Sequence, residues 1–99
     1  MKASKKETAT AHKVAMARRL RQARNALGIS QEKLAERLGG GLYKQLVSSY
    51  EDGSSKPPQL FLKRLERGTG ITASWVITGS RVGLPGDILD KLPPPEDED

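Results

Sequence analysis

Apolar residues recur at spacings of three and four along most of this 99-residue chain, which is the period of an amphipathic helix. The longest such stripe runs from about His12 to Leu27 and consists of Val14, Ala17, Leu20, Ala23 and Leu27. Charged residues lie mostly off this stripe, and Gly28 follows it in the position of a capping glycine. The pattern therefore predicts a first helix over residues 12–27.

Four shorter helices are predicted after the first, each bounded by residues that start or stop helices. Ser30 can cap the second helix, and Pro58 fits the first turn of the fourth. Thr72 can cap a short fifth helix that Gly79 closes. The second, third and fourth helices are predicted at about residues 31–38, 42–50 and 59–67. No alternating run is long enough to predict a strand, so the sequence predicts an all-α domain of five helices.

Composition separates this domain from the two ends of the chain. Residues 1–11 are polar and small and have no period, which predicts a flexible N-terminal arm. Residues 80–99 are rich in glycine, proline and acid, which predicts a disordered acidic tail with about one helical turn in "GDILDKL". The folded domain is accordingly expected to span residues 12–79.

Charge is divided unevenly between these parts. The whole chain carries a net charge of +5, yet residues 1–79 hold 15 Lys and Arg against 6 acids. Residues 80–99 hold only 2 basic residues against 6 acids. A basic domain with an acidic tail is frequent among proteins that bind polyanions, although solubilising surface charge gives the same balance.

Several classes of site are disfavoured by the residues present. The absence of cysteine rules out disulfides and thiolate catalysis, and the single histidine, His12, has no neighbouring ligand set for a metal. Ser48 and Ser49 have no paired base for nucleophilic catalysis. The glycines before Lys44 lack the Gly-Lys-Ser/Thr ending of a phosphate-binding loop. We therefore expect neither an enzyme nor a cofactor nor a metal site.

Membrane and export signals are also missing from the pattern. No apolar run approaches the roughly 20 residues that cross a bilayer. The basic start is not followed by the apolar stretch of a signal peptide. The sequence therefore predicts a soluble cytoplasmic protein without a membrane partner.

Three segments together resemble the helix-turn-helix family of phage repressors and Cro proteins. They are "RLRQARNALGISQEKLA" (19–35), "VSSYEDG" (47–53) and "GITASWVITG" (70–79). The resemblance covers about residues 14–79 and implies a five-helix, lambda-repressor-like DNA-binding domain with disordered termini. It also implies a sequence-specific transcription regulator, of the phage or prophage repressor type. By resemblance, Arg24 and Glu51 form an ion pair between the first and third helices, the alternative being two solvated charges.

One departure from the family concerns the turn before the third helix. The apolar plug Val47 lies eight positions after Gly39, where family members usually have about six. The excess lies in "GGGL", and neither Leu42 nor Tyr43 is a good capping residue. The start and angle of the third helix are therefore left open.

The third helix is expected to enter the major groove of DNA. With Val47 inward, its outer face carries three candidate base-contacting residues, which are Lys44, Gln45 and Ser49. Amide and ammonium groups suit this role because Gln pairs with adenine and Lys donates to guanine. Candidate phosphate contacts lie at the start of the second helix and around the third, and they are Gln31, Tyr43, Ser54, Ser55 and Lys56.

Partners follow from the same resemblance. One helix contacts few base pairs, so a twofold homodimer is expected. By resemblance it is formed through the fifth helix and the loop before it, with Ile77 and Leu84 as available apolar residues. A second hypothesis is an antitoxin-like regulator whose residues 80–99 fold on a toxin-like protein. A nonspecific nucleic-acid binder is a third and is supported only by charge.

Overall fold

The structure, a computed structural model, describes residues 5–95. This part of the chain contains six α-helices and no strand. The helices are α1 (Lys5–Leu27), α2 (Gln31–Leu38), α3 (Lys44–Glu51), α4 (Gln59–Thr69), α5 (Ala73–Thr78) and α6 (Gly86–Lys91). The predicted all-α architecture is confirmed, with one helix more than expected. None of the helices in this part of the chain combines the length and the apolar character needed to cross a bilayer.

The first helix begins earlier than the sequence pattern indicated. It starts at Lys5, so the predicted arm over residues 1–11 is helical from that point, while residues 1–4 lie outside the described residues. Residues 5–11 contain neither glycine nor proline, and nothing in them stops a helix from extending towards the N-terminus. α1 ends as predicted, with Gly28 at a φ of 72° and its N–H donating to the carbonyl of Arg24 at 3.0 Å.

A single core joins all six helices. Its largest fully buried side chains are Met16, Val47, Leu65, Ile71, Trp75 and Val76. The predicted stripe of α1 is buried at Ala17, Leu20 and Ala23, but Val14 is 52% exposed. Val47, the predicted apolar plug of the third helix, is buried in this core together with Trp75.

The turn between α2 and α3 contains three consecutive glycines in left-handed backbone conformations. Gly39, Gly40 and Gly41 have φ values of 67°, 67° and 80°, which residues with a Cβ rarely adopt. α3 begins at Lys44, two residues later than predicted, because Tyr43 is extended and forms no side-chain cap. The additional residues of the "GGGL" segment are thus accommodated in the turn and leave α3 eight residues long.

The acidic tail contains a folded segment. Leu84, Ile88 and Leu92 are buried in the common core, and α6 packs against α1. The prediction of disorder over residues 80–99 is therefore wrong for this segment, while residues 96–99 lie outside the described residues. Leu84 is also unavailable for a dimer surface, because it is only 7% exposed. The three apolar residues recur every fourth position, so one face of α6 and its flanks supplies all of them.

Truncating the buried side chain of α6 tests this assignment. Ile88→Ala is expected to lower the free energy of unfolding by about 2–4 kcal/mol, because it leaves a cavity in the core. Val82, which is 82% exposed in the same segment, is the control, and Val82→Ala is expected to change stability by less than about 0.5 kcal/mol. Urea denaturation followed by circular dichroism measures both, and equal effects of the two variants would contradict a folded tail.

Candidate nucleic-acid interface

α3 has one buried and one exposed face. Val47, Tyr50 and Glu51 are buried, and the Tyr50 ring packs against Phe61 with centroids 4.8 Å apart. Burial raises the pKa of the Tyr50 hydroxyl, and the nearby Tyr43 raises it further by a smaller amount. The Tyr50 hydroxyl is therefore neutral at physiological pH. The inward face of α3 is therefore fixed by packing.

The exposed front of α3 brings two of the three predicted base-contacting residues together. Lys44 and Gln45 are exposed and adjacent, and with Tyr43 they line a cleft of about 370 Å³ between α2 and the start of α3. Ala35 of α2 lies in this cleft and is buried. Its short side chain lets the start of α3 lie close to α2. An ammonium and an amide group thus stand side by side at the N-terminal end of the helix.

Two acids that were not predicted as site residues share this cleft. Glu32 and Glu36 of α2 line it together with Lys44. Their spacing of four residues places both on one face of α2. This spacing is visible in the sequence and could have predicted that the two acids lie together. Carboxylates repel phosphates but can accept from the amino group of cytosine. They therefore limit which polar groups of a duplex this cleft can face.

Ser49, the third candidate for base contact, is set back. It is half-buried, and its hydroxyl donates to the carbonyl of Leu46 at 2.7 Å within α3. Only its acceptor lone pairs remain for a ligand. The structure thus separates Ser49 from Lys44 and Gln45 in the chemistry it can offer.

A buried carboxylate holds the ends of α2 and α3 against α1. The Glu51 side chain is 4% exposed and accepts from Arg24 Nε at 2.7 Å and Arg24 Nη2 at 3.1 Å. Gln31 Nε2 donates to the same carboxylate at 3.1 Å, and Arg21 donates to the Glu51 carbonyl. Arg24 Nη1 also donates to the carbonyl of Ile29 at 2.9 Å. The two residues that the resemblance paired are therefore in bidentate contact, within a network of three partners.

This network uses part of a predicted phosphate contact. One N–H of the Gln31 amide is bound to Glu51, and the second remains for a ligand. Ser30 caps α2 by accepting from the Lys33 N–H at 3.1 Å. Gln31 is thus held at the N-terminus of α2, where unpaired backbone N–H groups and the helix dipole favour anions.

The loop after α3 differs from what its serines suggested. The Ser54 hydroxyl and backbone N–H both donate to Asp52, the backbone bond being 2.8 Å, and they lower the pKa of that carboxyl. Asp52 therefore keeps its negative charge, and both Ser54 donors point to it instead of outward. The Ser55 N–H donates to the Ser49 carbonyl at 3.1 Å. Lys56 is exposed and is the cation of this loop.

An arginine of α1 has a structural role that the sequence did not reveal. Arg19 is only 8% exposed, and its guanidinium donates to the carbonyls of Val76 at 2.9 Å and Ile77 at 3.3 Å. These carbonyls end α5, where a cation also interacts favourably with the helix dipole. In a run of basic residues such as "ARRLRQAR", composition alone gives no signal that distinguishes Arg19 from its neighbours.

One comparison with known proteins gives a match. A family model described as helix-turn-helix matches residues 20–76. The match begins in the C-terminal part of α1, includes all of α2, α3 and α4, and ends within α5. The chain belongs to the Cro/C1-type helix-turn-helix family. Searches of curated proteins and of solved structures each found no match. Membership of this helix-turn-helix family makes the protein a DNA-binding transcription regulator, as the resemblance implied.

Proposed function

We propose that this helix-turn-helix protein is a sequence-specific regulator that inserts α3 into the major groove of DNA. The observation that carries the proposal is the pair of exposed side chains at the start of α3, Lys44 and Gln45, above a buried and bonded inner face. Gln45 can pair with adenine through its amide, and Lys44 can donate to the oxygen and N7 of guanine. Helix-turn-helix proteins contact bases with the N-terminal end of the second helix of the motif, which corresponds to α3 in this chain.

Contacts with the DNA backbone would set the register of α3. The free N–H of Gln31 and the N-terminus of α2 suit one phosphate, and the exposed Tyr43 and Lys56 suit others. Ser55 retains its hydroxyl for such a contact, whereas Ser54 would first have to release Asp52. Phosphate contacts position a protein without conveying base sequence. We accordingly assign specificity to α3 alone.

The proposed mode of action is repression of the phage or prophage type, which the resemblance of the three sequence segments supports. Selection of bound duplexes from a random pool, followed by titration at several salt concentrations, tests the DNA proposal. A defined operator with a preference of at least about 10³ over random DNA is expected. Equal affinity for all sequences, with steep salt dependence only, would instead favour the nonspecific binder.

A twofold dimer is proposed through α5. Ile77 is 40% exposed beside a groove of about 410 Å³ whose apolar walls include Met16, Leu62 and Ala73. Its remaining lining residues are Pro57 and four polar ones, which are His12, Lys56, Gln59 and Lys63. A second copy could cover this apolar surface. Two copies would also place two α3 helices on half-sites about 34–36 Å apart.

Charging the apolar rim of this groove tests the dimer. Ile77→Asp is expected to yield monomers in analytical ultracentrifugation and to weaken operator binding at least tenfold, because a carboxylate cannot be buried between two copies. Ser74→Asp adds the same charge at another exposed position of α5 and is the control. Unchanged sedimentation of Ile77→Asp would place the dimer contact elsewhere.

The antitoxin alternative loses its structural motive. It required residues 80–99 to be free for a toxin-like partner, but Leu84, Ile88 and Leu92 are packed in the core of the same chain. A toxin-like gene beside this one would restore that hypothesis, since a partner could still bind another surface.

A further inference from the structure

A basic groove lies between the C-terminal end of α2 and the outer face of α4. Its volume is about 300 Å³, and four of its seven lining residues are cations, namely Arg37, Lys63, Arg64 and Arg67. The others are Leu38, Leu60 and Gly68, so no carboxylate lines it within the part of the chain that the structure describes. Like charges around one space repel each other, and an anion in that space removes the repulsion. We call this feature the basic groove.

The arrangement of α4 maintains this excess of positive charge. Lys63 and Arg67 are four residues apart, so they are neighbours on one face of the helix, and both are exposed. Glu66, the acid closest to them in sequence, does not line the groove and accepts instead from the backbone N–H of Ala73 at 3.0 Å. The groove is therefore not neutralised by the carboxylate of its own helix.

The glycine turn between α2 and α3 leaves room for Arg64, one of the four cations of the basic groove. Arg64 Nη1 lies 3.4 Å from the Leu38 carbonyl at the end of α2. Its guanidinium also covers Gly40 so closely that a Cβ there would stand 2.2 Å from Arg64 Cζ. A glycine at position 40 is thus needed both for its φ of 67° and for the approach of Arg64. Arg64 consequently lies beside the turn that leads into the DNA-facing α3.

We propose that the basic groove binds a backbone phosphate of DNA, on the strand opposite to the one contacted by the N-terminus of α2. This inference rests on the proposed function. The eight residues of α2 span about 12 Å, and the major groove of B-DNA is about 12 Å wide. With α2 lying across that groove, Gln31 meets one edge and the basic groove meets the other. Arginine suits this contact because its guanidinium binds phosphate through two parallel hydrogen bonds.

Removing two exposed cations of the groove tests the proposal. Lys63→Gln combined with Arg67→Gln is expected to weaken binding to operator and to random duplex by the same factor, about tenfold, because phosphate contacts carry no sequence information. The slope of log affinity against log salt should become shallower by about 1 for each phosphate that the variant no longer neutralises. Lys13→Gln combined with Lys91→Gln removes the same net charge elsewhere and should leave the slope nearly unchanged. Equal effects of the two double variants would overturn the proposal.

A pair of glycine variants tests the role of Arg64 separately. Gly40→Ala strains the backbone and displaces the guanidinium, whereas Gly41→Ala imposes a similar strain at a φ of 80° with no atom within 4 Å of the new Cβ. Weaker binding and a shallower salt slope are expected for Gly40→Ala relative to Gly41→Ala, with both measured at a temperature where the proteins are folded. Identical slopes for the two would argue against a phosphate at Arg64.

A neutral phosphate identifies the strand. The test uses an operator duplex with one uncharged methylphosphonate at the opposite edge of the major groove. The parent chain should bind this duplex more weakly than the natural duplex. The variant with Lys63→Gln and Arg67→Gln should bind the two duplexes equally. If no position on that strand gives this result, the inference fails while the operator preference, and with it the proposed function, stands. If the groove variants change affinity in the full chain but not in a chain ending at residue 95, the acidic residues 96–99 are the occupant, which also overturns the proposal.

Discussion

Replacing Arg24 with alanine is expected to destabilise the domain by about 3–5 kcal/mol, because it leaves the buried Glu51 carboxylate without its charged partner. That carboxylate is 4% exposed and takes two hydrogen bonds from Arg24, against one from Gln31. For a domain of this size, each kcal/mol lowers the melting temperature by roughly 4–8 °C. A loss of about 3 kcal/mol would thus lower it by about 12–24 °C, which thermal denaturation measures directly.

Two further variants separate charge burial from other causes of the destabilisation. Arg37→Ala removes an exposed arginine from α2 and is expected to cost less than about 0.5 kcal/mol. Arg24→Met combined with Glu51→Leu removes both charges and should recover most of the stability, because an apolar pair of similar volume needs no partner. A destabilisation below about 1 kcal/mol for Arg24→Ala would mean that Glu51 is solvated and that the network contributes little.

This network also links stability to DNA binding. Glu51 is the last residue of α3, and Gln31 is the first residue of α2, so their bond connects the two helices of the helix-turn-helix. Arg24 and Arg21 attach that junction to α1. Arg21 and Arg24, which are not proposed to contact DNA, therefore hold the end of the helix proposed to contact bases.

Residues with a distinct physical signal could be placed from the sequence. Ser30 and Thr72 were predicted as caps from their hydroxyl groups, and each accepts from a backbone N–H three residues later. Val47 was assigned to the core as the apolar plug of the third helix, and it is buried. Lys44 and Gln45 were predicted to face outward because the buried position of Val47 fixes the rotation of α3, and both are exposed.

The tail and the basic groove could not be placed, for two different reasons. Over residues 80–99 the high content of glycine, proline and acid predicts disorder, although Leu84, Ile88 and Leu92 have a helical spacing of four residues. That spacing stabilises a helix only when the three side chains can pack against the core formed by the other helices. The basic groove joins Arg37 to Lys63 and Arg67, which are more than 25 residues away along the chain. Such a site depends on how α2 packs against α4, and local sequence does not contain that distance.

Removing both exposed side chains at the start of α3 is expected to have the largest effect on DNA binding. Lys44→Ala combined with Gln45→Ala should lower operator affinity at least about 100-fold. Each base contact contributes about 1–3 kcal/mol of discrimination, and a dimer contains each of the two residues twice. Affinity for random duplex should fall only slightly, through the removal of one charge per chain. The fold should persist, because alanine favours helices at exposed positions.

Matched substitutions show whether α3 itself provides the specificity. Lys91→Ala combined with Gln22→Ala removes the same two residue types from α6 and α1 and should leave the operator preference intact. Ser49→Ala should reduce it only a few-fold, because the Ser49 hydroxyl already donates within its own helix. Titration of each variant with operator and random duplex at one salt concentration gives the ratio directly. An undiminished ratio for the Lys44 and Gln45 variant would move base recognition away from α3, and the acids Glu32 and Glu36 of the same cleft would then be the next groups to substitute.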